Sequence, residues 1–174
     1  MQLLAAAGVA VEVRPSHIDE APLPGESVDA TVLRLGRQKA LACESEHVPV
    51  IAADTLVCLD GDPLGQPRDL AHAKAMLLSL AGRSHEVHTG VCVRLGGRML
   101  AEIVTTRVTF RPLSAAAIDT YLLHNEVLDK AGAYAVQAGA ASFITAIDGP
   151  LDNVVGLPVQ RTLALLAAIR GELA

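Results

Sequence analysis

The stretch Val50-Ile-Ala-Ala-Asp-Thr-Leu-Val57 decides how the rest of the chain is read. It is an apolar run with one acid, Asp54, set into its middle. Its wider limits, Val48–Leu59, predict a strand that ends at the turn signal Asp60-Gly61. Ionising a carboxylate in such a setting costs several kcal/mol unless a cation or hydrogen-bond donors compensate. Two readings therefore stand for Asp54. It is a structural acid that accepts bonds from nearby amides, or it binds a divalent metal or takes a proton.

Outward from this strand, helices alternate with strands. Upstream, Met1–Gly8 reads as the end of a helix stopped by Gly8, and Val9–Arg14 as a short strand. Ser16–Glu26 is a polar, proline-rich loop carrying His17, Asp19 and Glu20. Val28–Cys43 predicts a helix whose stripe is Val28, Val32, Leu35 and Ala42, with Leu33 and Leu41 on a second covered face. Lys39 falls within the stripe, where it either snorkels outward or meets an anion beside the core. Downstream, Asp69 caps a helix with the stripe Leu70, Ala73, Met76, Leu77 and Leu80, closed by Gly82. Glu86–Leu95 and Met99–Phe110 flank Gly96-Gly97 as a hairpin. Ser114 caps a helix to about Asn125, Tyr134–Gln137 and Phe143–Ile147 are short strands, and Pro158 opens a last helix ending near Gly171. The order predicts one three-layer α/β domain over residues 1–174, a mixed sheet with helices on both sides.

Composition narrows the function. The chain has 174 residues, 51% hydrophobic, enough to fill one core. It has no Trp, two Tyr and two Phe, which argues against a stacking surface for single strands. A formal charge of −5 with no basic run argues against a nucleic-acid backbone partner. Cys43, Cys58 and Cys92 are odd in number and scattered, as reduced thiols of a cytoplasmic protein are. No apolar run is long enough for a membrane helix, and Met1–Val13 lacks the pattern of a signal peptide.

The remaining candidates each have a plain alternative. Asp19 and Glu20 read as solvated acids unless they share a metal with Asp54, and Mg²⁺ needs only one or two carboxylates besides water and phosphates. His85 and His88 face opposite sides of a strand, so no shared zinc is expected, and His85 reads as a structural hydrogen-bonder. Gly132-Ala-Tyr-Ala-Val-Gln137 is a pocket wall whose Gln137 amide reads a base edge, or it holds a buried structural Gln. Asn153-Val-Val-Gly-Leu-Pro158 is a helix entry whose free N–H groups bind an anion, or an ordinary helix start capped by Asn153, the preferred reading.

Taken in order these pieces resemble the Maf family, house-cleaning nucleoside triphosphate pyrophosphatases first described as septum-formation inhibitors. The matching segments are Asp19-Glu20, Leu33-Arg-Leu…Lys39-Ala40, Ala53-Asp-Thr-Leu-Val57, Leu64-Gly-Gln-Pro67, Gly82-Arg-Ser-His85 and Val87-His-Thr-Gly-Val91. They continue through Thr106–Arg111 with Leu113-Ser114, Asp129–Tyr134 with Gln137, and Asn153–Pro158. The resemblance implies an inosine-triphosphatase-like α/β fold with a cleft between two lobes, commonly a homodimer. It implies hydrolysis of a nucleoside triphosphate to the monophosphate and pyrophosphate, helped by Mg²⁺ or Mn²⁺. By motif position it makes Asp54 the general base, Glu20 and Asp54 the metal-linked acids, and Lys39 a phosphate ligand. Thr55 and Gln137 place the chain with the dTTP/UTP branch, and a Gln amide suits the imide edge of thymine or uracil because it both donates and accepts.

The chain departs from the family pattern twice. Members open with a strand and a Ser-x-Ser-Pro-Arg-Arg loop, and Met1-Gln-Leu-Leu4 matches the helix just after those arginines. The single domain is thus expected to lack the usual first strand and arginine loop. Gln66 also stands where the family has a phosphate-facing lysine. These departures keep a second reading open, a catalytically impaired nucleotide-binding or regulatory protein.

Overall fold

A computed structural model describes residues 2–171. The elements in chain order are α1 (Gln2–Ala6), α2 (Val28–Ala42), β1 (Val50–Leu59), β2 (Asp62–Leu64) and α3 (Leu70–Leu80). Then come β3 (Ser84–Leu95), β4 (Arg98–Phe110) and α4 (Ala115–His124). Three 3₁₀ turns follow, over Ala131–Ala133, Val136–Ala138 and Ala140–Phe143, and then β5 (Ile144–Asp148), α5 (Leu151–Val155) and α6 (Val159–Arg170). One open sheet has the order β2-β1-β3-β4-β5. Both of its edge pairings are antiparallel, and β3 and β4 form a hairpin through Gly96-Gly97. The expected α/β class holds, with antiparallel pairing where a mixed sheet was expected. Among the described residues no helix is long and apolar enough to cross a membrane.

The chain divides into two compact units, 1–54 with 89–104 and 156–174, and 55–88 with 105–155. Strands β1, β3 and β4 each supply residues to both.

In the first unit the sheet carries a helix on each face. Val91 and Val93 of β3 pack with Leu165, Leu166 and Ile169 of α6. The intervening Gly90 and Cys92 point the other way, toward α2. A Cβ on Gly36 of α2 would sit 2.7 Å from the Gly90 carbonyl oxygen, and one on Gly90 would overlap the Val32 carbonyl. Helix and strand backbones therefore touch directly. Glycine inside a helix costs about 1 kcal/mol against alanine, and this close approach is what it permits. The buried side of α2 is Thr31, Val32, Leu35, Gly36 and Ala40. Ala42 and Leu41, both expected to be covered, are exposed.

In the second unit α3 presents Ala73, Met76, Leu77 and Leu80 at helical spacing to Val57, Val87, Val108 and Phe110 of the sheet. Ser114 and Asp69 cap their helices as expected, accepting from Ala117 N and His72 N. Asp60 and Gly61 both have positive φ, as the two-residue β1–β2 turn demands. His85 is buried in this core, its Nε2 2.7 Å from the Tyr134 hydroxyl and its ring edge-on to Phe110 and Tyr134.

Three further sequence expectations fail. Val9–Arg14 forms no strand. Tyr134–Gln137 forms no strand: Tyr134 and Ala135 are extended, but positive φ at Gly132 and Ala133 turns the chain before them and a 3₁₀ turn begins at Val136. Asn153 caps nothing. It sits inside α5, fully buried, and its Nδ2 donates to Val87 O at 3.0 Å and Thr106 Oγ1 at 3.1 Å.

Replacing Gly90 by Ala is expected to destabilise the protein by about 3 kcal/mol, the upper range for overpacking, as read from urea midpoints. A second expectation concerns acid. Burial pushes the His85 pKa from 6.5 down to about 4. The unfolded chain then binds a proton that the folded one refuses, so stability falls as pH drops from 6.5 toward 4. The loss is on the order of 3 kcal/mol. His85→Phe should remove that part of the pH dependence, and an unchanged profile would show that His85 is not its source.

Candidate active site

Three of the sequence-selected residues meet in the first unit. Lys39 reaches from α2, Asp54 stands in β1, and Glu20 comes from the loop ahead of α2. The Lys39 Nζ donates to Asp54 Oδ1 at 2.6 Å and pairs with Glu20 Oε1 at 2.8 Å. Asp54 is 9% exposed, Lys39 19% and Glu20 48%, so one buried acid and one open acid share a half-sheltered ammonium. Lys39 does not snorkel. The contact of Gly36 with β3 lies one helical turn before Lys39, and it brings that side chain down onto the sheet.

The electrostatics follow from this geometry. Burial pushes the Asp54 carboxyl above the usual aspartate range, and the Lys39 ammonium draws it only part of the way back. Burial works against the charge on Lys39, but its bonds to Asp54 and Glu20 outweigh that and hold its pKa above 10.5. Asp54 is thus a stronger base than a surface aspartate. Asp19 takes no part, since its Oδ1 accepts the Ala21 amide at 2.9 Å in a local turn.

Among the described residues no three of His, Cys, Asp and Glu gather as a metal cage. Glu20 and Asp54, converging on one ammonium, suit a hard divalent cation that keeps water and phosphate oxygens as its other ligands.

Thr55, Gln66 and Gln137 belong to the second unit. Thr55 follows Asp54 on β1 and faces the opposite side of the strand. Gln66 is exposed, and its Nε2 donates to Asp129 O at 3.3 Å, while Gly132 N donates to Gly65 O at 3.1 Å. The Gln66 loop is thus tied to the segment that leads to Gln137. Gln137 is exposed in the second 3₁₀ turn, which rules out the buried structural role. His88, on the face of β3 opposite His85, lies 3.2 Å through Nδ1 from Thr105 Oγ1.

Sequence reading missed two features. Arg34 appeared only within a motif, yet its guanidinium grips Glu26 and the Ala21 carbonyl. Asn153 ties β3 to β4 through Val87 and Thr106. An amide among apolar neighbours was the only signal for the second. The first had none, because Glu26 reads as an ordinary acid ahead of a helix.

Comparison with known proteins places the whole chain. The family described as Maf-like protein matches residues 1–169. A protein of Anaeromyxobacter sp. (strain Fw109-5) named dTTP/UTP pyrophosphatase is 49% identical over 95% of this chain and 82% of its own length. Proteins of the same name from Myxococcus xanthus and Chromobacterium violaceum are 45% and 41% identical, over 95% and 99% of this chain and 85% and 90% of their own. With the match running through Glu20, Lys39 and Asp54 alike, the chain belongs to the Maf family.

Proposed function

We propose that this chain is a nucleoside triphosphate pyrophosphatase acting on dTTP and UTP. The observation that carries the reading is the buried Asp54 carboxylate bonded to Lys39, in a chain 49% identical to a protein named dTTP/UTP pyrophosphatase. In this reaction water oxygen bonds to the α-phosphorus, the bond from that phosphorus to the bridging oxygen breaks, and pyrophosphate leaves with the electron pair. Asp54 accepts the proton that water loses. Its raised pKa suits this task, because a general base works best when its pKa approaches the working pH.

Lys39 has three N–H donors, two of them used by Asp54 and Glu20, and the third is directed to a phosphate oxygen. Glu20 and Asp54 would hold Mg²⁺ or Mn²⁺, which when bound neutralises phosphate charge. By motif position Thr55, Gln66 and Gln137 are the substrate contacts proposed within the second unit, and the Gln137 amide has the donor and the acceptor that the imide edge of a base requires. The absence of disulfides among Cys43, Cys58 and Cys92 supports a reducing, cytoplasmic setting. A homodimer is the assembly proposed with it, and light scattering at micromolar concentration tests it.

The direct test is pyrophosphate release from dTTP, UTP, dCTP and ATP with Mg²⁺ or Mn²⁺. Turnover of the first two above the others is expected, and equal or absent turnover would reject the assignment. Asp54→Asn should lower kcat by about 10²–10⁴-fold. The acid limb of kcat/KM should lie above 3.8, the ordinary aspartate value, and Lys39→Met should move it higher by removing the cation. Gln66→Lys should raise kcat/KM about tenfold by adding a charge-assisted phosphate contact.

A further inference from the structure

The loop that carries Glu20 has no regular structure between Val9 and Leu23. A segment of that kind stays in one place only if side chains hold it, since each ordered residue costs about 1–2 kcal/mol of backbone entropy. Glu20 itself cannot supply the hold. Its carboxylate is half exposed, and its one described fastening is the flexible Lys39 side chain.

The hold comes from the next helix turn. Arg34 of α2 donates from Nε to Glu26 Oε1 and from Nη2 to Glu26 Oε2, both at 2.7 Å, the two-pronged geometry that suits guanidinium and carboxylate. The same Nη2 donates to the Ala21 carbonyl at 3.2 Å, one residue from Glu20, and Nη1 to Gln38 Oε1 at 3.1 Å. Glu26 in turn accepts from Thr31 Oγ1 at 3.0 Å and Leu23 N at 3.5 Å. Arg34 so closes both ends of the 21–26 segment onto the helix that bears Lys39, five residues further on. The Arg34 bonds draw the Glu26 carboxyl down to about 2, so the grip persists across the working pH range.

We propose that Arg34, through Glu26 and the Ala21 carbonyl, is a positioning residue that seats Glu20 on the Lys39–Asp54 pair. This rests on the reading of that cluster as the reactive one. Arg34 acts on the cluster chiefly by seating Glu20; its charge also draws the Asp54 carboxyl down, an effect that Arg34→Lys retains.

The test compares Arg34→Met, Arg34→Lys and Glu26→Gln, each alone and combined with Glu20→Gln, in dTTP hydrolysis. Arg34→Met should lower kcat/KM about 10- to 100-fold, the loss expected from misplacing one active group. Arg34→Lys should fall nearly as far, because it keeps the charge but not the fork. In the Glu20→Gln background each further loss should be under about twofold. Additive losses, or full rescue by Arg34→Lys, would overturn the proposal. Amide exchange decides the same question without turnover. In Arg34→Met and Glu26→Gln the Ala21 and Glu26 amides should exchange at least about tenfold faster while β3 and α6 stay protected. If wild type makes no pyrophosphate, the pyrophosphatase reading fails, and unchanged exchange at Ala21 and Glu26 would still sink the positioning role by itself. Should Arg34→Met fail to fold, Glu26→Gln loosens the same clamp and carries both readouts.

Discussion

The backbone contact between Gly36 and Gly90 is the constraint on which the site depends. A side chain at either position would lift α2 off β3, since no rotamer moves a Cβ away from a carbonyl oxygen. With both absent, the helix lies low enough for a lysine one turn later to meet an acid of the neighbouring strand. Glycine in the middle of a helix and of a central strand is locally unfavourable twice over. The fold tolerates both because the close approach brings an ammonium to Asp54, which otherwise would stand buried and unpaired.

That pairing explains why an aspartate is stable in β1 at all. Burial penalises its charge, and Lys39 offsets the penalty without cancelling it, so the carboxyl remains above its ordinary range. A fully compensated acid would be an inert structural anchor. A partly compensated one keeps a raised affinity for a proton. Glu20, on the open side of the same ammonium, adds a second carboxylate that remains half exposed to solvent.

The second unit meets its own burial problem by a different route. Several of its buried polar side chains are fastened by hydrogen bonds. His85 bonds Tyr134, Asn153 bonds Val87 and Thr106, and Thr106 bonds the Pro150 carbonyl at 3.0 Å. These bonds between segments fix one packing arrangement where an all-apolar core would allow several. The loop holding Gln66 and the turns leading to Gln137 are joined by a backbone bond from Gly132 N to Gly65 O and by the Gln66 amide donating to Asp129 O. The Gln137 side chain itself stays exposed on these turns.

The sequence alone was enough for the helices α2, α3, α4 and α6, because stripes at 3.6-residue spacing and caps such as Asp69 and Ser114 are local signals. It also singled out Asp54 and Lys39, since a carboxylate in an apolar run and an ammonium on an apolar stripe conflict with their surroundings wherever they fold. The ordered motifs around them were sufficient to indicate the family. Only the tertiary structure decided what those two charges do, because the 2.6 Å bond between them spans residues 15 apart in sequence and depends on two glycines that carry no pattern. It alone separated Glu20 from Asp19, moved Asn153 from a helix cap into the core, and kept Tyr134–Gln137 from forming a strand. Each of these outcomes rests on groups distant in sequence or on backbone torsions with positive φ. Periodicity reads only which face a residue takes, not what another segment brings to it.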